Sequence, residues 1–120
     1  MGNLAHQTDS KFTIKQANQE AALAALQKAW PVPVIQSLAQ ALEDDRWAPE
    51  IDQQTGDITD VIFFGEKMYP SALGEEDVLF HLAPFVEAGS YIEMADEQSR
   101  RWRWLFDGKS VAFKFTKVSW

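Results

Sequence analysis

Cysteine is missing altogether, and histidine occurs only twice, as His6 and His81. These absences exclude a disulfide framework, a thiol nucleophile and a thiolate metal site, and they leave too little imidazole for a histidine cage. A long apolar run is also lacking. The longest uncharged stretch, Ala29 to Leu42, is interrupted by Pro31, Pro33, Gln36 and Gln40, so it does not read as a membrane span. The first residues lack a basic-then-apolar secretion signal, and the expectation is a cytoplasmic protein. No serine sits in a nucleophile elbow and no glycine-rich phosphate loop exists, so neither catalysis nor a cofactor is expected. What the chain has in quantity is aromatic bulk. Eight Phe and five Trp in 120 residues are ample for one core, and the length allows one domain.

The net charge of -7 hides an uneven distribution. Residues 1 to 99 hold five Lys or Arg against seventeen Asp or Glu, whereas residues 100 to 120 hold six against one. Glu43, Asp44, Asp45, Glu50, Asp52, Asp57 and Asp60 fall close together, opposed only by Arg46. Such a field attracts basic partners and rejects nucleic-acid phosphates.

Residues 1–11 show no apolar period and read as a flexible tail, with residues 12–120 forming a single α+β domain. Ala22, Leu23, Leu26, Ala29 and Trp30 predict a helix over 16–29. Pro33 suits the first turn of a second helix reaching Asp44, which makes an N-terminal helical hairpin. Residues 47–52 and 57–64 read as a β-hairpin around Gly56, with Pro49 marking an edge and the second strand apolar on both sides, hence interior. A third helix is expected from Gly74 to Gly89, kinked at Pro84. Three strands follow, over 90–95, 101–106 and 109–119. The order is then ααββαβββ, with the helices on a mainly antiparallel five-stranded sheet.

Alternation in Arg101-Trp102-Arg103-Trp104 puts both tryptophans on one face and both arginines on the other. The run therefore reads as core indoles backed by outward guanidiniums, and a base-stacking platform is disfavoured. The Asp107-Gly108 turn pairs Trp104 with Val111 and Trp102 with Phe113, while Met94 meets Trp102, Ile92 meets Trp104 and Glu93 meets Arg103.

Asp52, Asp57 and Asp60 lack EF-hand spacing, because the twelfth position from Asp52 is Phe63, so no metal is expected there. His81 lies one turn from Asp77, but no complete catalytic constellation surrounds it. The remaining candidate is the acidic stretch as a docking face for a basic protein. Glu43, Asp44, Asp45, Asp52, Asp57 and Asp60 would steer the encounter, and Trp47 and Tyr69 would be the aromatic anchors. The alternative is a small-ligand cleft between helices and sheet, walled by Trp30, Trp102 and Trp104. Val118 and Trp120 end the last strand, whose edge could pair with a second copy to give a homodimer.

The segments Gly74–Phe80, Ala83–Val86, Gly89–Met94 and Trp102–Gly108 resemble a group of small acidic bacterial proteins, largely uncharacterised in role, some carried on mobile gene cassettes. The resemblance brings no catalytic motif. It implies, by analogy of size and charge, an immunity or inhibitor-type protein that occludes a basic partner.

Overall fold

The alternation of arginine and tryptophan at 101–104 concentrates aromatic volume on one side of a strand. The computed structural model, which describes residues 5–65, 77–98 and 100–116, places the core there. Strands are labelled in chain order: β1 Ala5–Lys11, β2 Trp47–Ile51, β3 Ile58–Phe63, β4 Tyr91–Asp96, β5 Arg101–Phe106 and β6 Val111–Thr116. The helices are α1 Gln16–Ala29, α2 Leu38–Asp44 and α3 Val78–Leu82, the last followed by a 3-10 turn, Ala83–Phe85. The chain is α+β.

β4 and β5 pair as alternation predicts, with Met94 opposite Trp102, Ile92 opposite Trp104 and Glu93 opposite Arg103. Trp102 and Trp104 are 0% and 2% exposed, while Arg101 is open to solvent. The β5–β6 register lies two residues from the expectation: Trp104 faces Phe113 and Trp102 faces Phe115. Its cause is the turn chemistry. The Asp107 carboxylate accepts the Lys109 and Ser110 backbone N–H groups at 2.9 and 2.7 Å, and Gly108 takes φ 93°, so Gly108 and Lys109 form the tip. A slip of two leaves every side chain on its face, which is why the inward indoles survive it.

Residues 5–11 are not a tail. They form β1, antiparallel to β4, with a bulge between Gln7 and Asp9. The bulge breaks the two-residue period, and the polar side chains make cross-strand bonds, such as Thr8 Oγ1 donating to Glu93 Oε1 at 2.7 Å, so no apolar pattern marks this strand.

The sheet itself has four strands in the order β1-β4-β5-β6, and β2-β3 is a separate two-stranded sheet; the expected five-stranded sheet does not form. The edge of β3 meets β1 through side chains instead of a full ladder. Gln7 Nε2 donates to the Val61 carbonyl at 2.8 Å, and Gln7 Oε1 accepts the Phe63 N–H at 2.7 Å, so a primary amide stands in for a peptide group. Beyond it, Ile14 and Ile58 exchange two backbone bonds of 2.9 Å, and the Ser10 hydroxyl donates to Asp60 Oδ1 at 2.7 Å.

The helical hairpin is likewise absent. Residues between α1 and α2 form an open connection in which Val32 and Val34 are exposed, and α2 begins only at Leu38. Ser37 sets that start, its Oγ accepting the Gln40 N–H at 3.0 Å while Gln40 Oε1 accepts the Gln36 N–H at 3.0 Å. With no antiparallel mate, α1 lies chiefly against α3 and the 3-10 turn, and α2 lies against β2. Helix α3 ends before Pro84, which occupies the 3-10 turn where its missing N–H costs nothing; the expected long kinked helix is thus a short helix plus a turn. Gly74–Glu76 of that expectation lie outside the described residues.

One core joins these parts. Phe12, Leu26, Leu79, Leu82, Ile92 and Met94 are buried with both indoles, and Trp47 crosses from the small sheet to sit edge-on to Trp104, centroids 6.2 Å apart.

Candidate functional site

The acidic residues expected to act together are distributed among different jobs. Asp52 Oδ1 accepts the backbone N–H groups of Gln54 and Thr55 at 2.8 and 3.1 Å, which holds the hairpin turn and lowers its pKa below the usual carboxylate value. Asp57 Oδ1 accepts the Gln16 N–H at 2.8 Å, serving the first residue of α1 from across the chain, since Lys15 offers no capping side chain. Asp60 is turned to Ser10 and to its neighbouring Val61 N–H. Trp47 is 2% exposed and belongs to the core, so it cannot serve as a surface anchor. Tyr69 lies outside the described residues.

What remains on the surface is the end of α2, where Glu43 and Asp44 are exposed and Asp45 is half-buried. Burial, then repulsion from Asp77, pushes the Asp45 carboxyl from the ordinary 3.8 up to about 6, against the opposing Trp47 hydrogen bond. Arg46 follows with φ 72°, a left-handed helix-ending position usually given to glycine. Glu43 to Asp45 precede β2, Glu50 faces Asp60 within the hairpin and Asp52 lies past the end of β2, so the carboxylates of the acidic stretch are spread along the hairpin.

Asp45 has a measurable consequence. The folded chain holds this proton more tightly than the unfolded one, so stability present below pH 4 is lost as pH rises through about 6. Solvent screening limits the effect to about 1 kcal/mol. Asp45→Asn is expected to flatten this decline, raising stability at pH 7 relative to the parent while leaving pH 4 unchanged; urea denaturation at both pH values checks it.

The arginines of the basic segment are neutralised locally. Glu93, 5% exposed on the outer face of the sheet, accepts Arg103 Nε at 2.9 Å and the Thr8 hydroxyl, with Arg101 Nε 4.0 Å away. The Arg103 guanidinium lies 4.3 Å from the Tyr91 ring centroid, and the Tyr91 hydroxyl donates to Asp9 at 2.9 Å. Arg100 Nε donates to the buried Asp96 at 2.6 Å. Burial alone would raise the Asp96 pKa, but the backbone and side-chain N–H groups of Arg100, with the Gln98 N–H, bring it below the ordinary value.

Trp102 and Trp104 are sealed in the core and wall no cleft, and Trp30 is half-buried with its ring 4.9 Å from that of His81. A cleft nevertheless lies between helices and sheet. About 590 Å³ in volume, it is bounded by α1 at Ala25 and Lys28, by Phe80, His81 and Phe85 below, and by Lys109 to Val111 of the β5–β6 hairpin. Sequence reasoning expected a cleft between helices and sheet but gave it other walls, because the actual lining depends on the helix ending at Pro84 and on where the hairpin tip lands. Pro84, singled out as a kink, was the available signal.

Among the described residues no three His, Asp or Glu side chains are grouped to hold a metal, and no helix is long and apolar enough to cross a membrane. β6 is the outer strand of its sheet among those residues, with Phe115 half exposed and Lys114 exposed beside it; Val118 and Trp120 lie beyond the described range. No protein-family model, curated protein or solved structure matches the chain.

Proposed function

We propose that the protein is a non-enzymatic binding module whose ligand sits in the cleft between α1, the 3-10 turn and the β5–β6 hairpin. The observation that carries this reading is the cleft's volume of about 590 Å³, within the range of small-molecule sites, with mainly apolar walls supplied by three separate elements. The test is a titration with the neutral fluorophore N-phenyl-1-naphthylamine. Saturable enhancement is expected, and Ala25→Trp, which fills the cleft from the surface of α1, should abolish it without lowering thermal stability. Equal binding by that variant would contradict the reading.

A second reading keeps the acidic docking role, reduced to Glu43, Asp44 and Asp45 at the end of α2. The raised Asp45 pKa favours it, because a carboxylate held charged against burial and Asp77 gains most from an incoming Lys or Arg. In this reading the chain is an immunity or inhibitor-type protein that occludes a basic partner. Capture of such a partner should weaken steeply with salt and be lost on Asp44→Lys; salt-independent capture speaks against it. Pairing of the guanidiniums with Glu93, Asp96 and Asp9 supports the absence of nucleic-acid binding in both readings.

A further inference from the structure

We propose that the cleft takes a monoanionic carboxylate with an apolar body, an inference that rests on the cleft reading above. Two lysines from distant parts of the chain line the cleft, Lys28 from the last turn of α1 and Lys109 from the tip of the β5–β6 hairpin. Among the described residues neither has an acidic side chain within ion-pairing distance. The nearest carboxylate in sequence, Asp107, is turned to the backbone N–H groups of its own tip. Phe80, Phe85 and Val111 give the cleft an apolar lining, with Phe80 39% exposed.

The arrangement sorts ligands by charge and shape. An apolar body gains from covering the apolar lining, and a single carboxylate gains from two cations that have no counter-ion among the described residues. A polyanion gains the same local contacts but meets the repulsion of a chain carrying a net charge of -7, which one negative charge feels least.

Decanoate and decanol, kept below the concentration at which they self-associate, separate the two contributions when each competes with N-phenyl-1-naphthylamine on the full chain. Decanoate is expected to bind about five- to tenfold tighter than decanol at low salt, and the advantage should shrink at about 0.5 M salt. The double variant K28Q/K109Q should lose the preference while binding decanol as the parent does. Both are surface side chains, so the fold is expected to persist. Equal affinities in the parent, or an undiminished preference in the double variant, overturn the proposal while the cleft reading stands. Failure of the naphthylamine itself to bind overturns both.

Discussion

Trp104→Ala is expected to lower the unfolding free energy by about 3–5 kcal/mol, the range for removing a large buried aromatic that its neighbours cannot fully replace. Trp104 is 2% exposed, faces Ile92 on β4 and Phe113 on β6, and meets Trp47 edge-on from the other sheet. It is therefore the contact through which the four-stranded and two-stranded sheets share one core. A domain of this size typically has about 5–15 kcal/mol in total, so the variant should lose a large share of its stability. Trp104→Phe keeps part of the ring contact and should cost roughly half as much. Urea denaturation followed by circular dichroism reads both. A loss under about 1 kcal/mol for the alanine variant would mean that the indole is not in the core.

Gln7→Leu carries the next largest effect, about 2–3 kcal/mol, although the residue is only half-buried and its replacement is of similar size. The leucine leaves the Val61 carbonyl and the Phe63 N–H without the partners they have at 2.8 and 2.7 Å, and a hydrocarbon would sit between two strand edges that need hydrogen bonds. Ser10 would also lose the Gln7 Nε2 donor at 2.6 Å. The damage should be local as well as global. Amide exchange at Phe63 is expected to accelerate more than at Trp104, whose strand neighbours Ile92 on β4 and Phe113 on β6 make no bond to Gln7. Uniform exchange across both sheets would show that the amide bridge does not join them.

These two residues mark what could be read in the sequence. Trp104 announced itself, because in a strand of regular period the choice between core and surface follows from every second residue, and the turn slip of two did not disturb it. Gln7 did not, because its role exists only where β1 and β3 meet, fifty-odd positions apart in the chain. The strand carrying it is polar, bulged and covered by cross-strand bonds, so it presents a tail's composition.

A similar contrast holds elsewhere. The β2–β3 hairpin followed from Gly56, which indeed takes φ 77°, and α1 followed from its alanine and leucine spacing. The start of α2 was legible at Ser37 and Gln40, a capping box, but Pro33 gave the more familiar signal and the helix was expected to start too soon. For the acidic stretch, the count of charges was legible and the partner of each carboxylate was not. Asp52, Asp57 and Asp60 are held by backbone and hydroxyl donors, an assignment that depends on what each carboxylate meets in space. The lining of the cleft was hidden for the same reason: Lys28, Phe85 and Lys109 are remote in sequence and only the tertiary arrangement brings them to one opening.

Where a ligand lands is read residue by residue from a two-dimensional amide spectrum of the isotope-labelled chain titrated with decanoate. Saturable shifts centred on Ala25, Lys28, Phe85 and Ser110 are the expected outcome. Shifts centred on Glu43 to Asp45 or on the outer face at Arg101 and Arg103, or a spectrum that does not move, would contradict it.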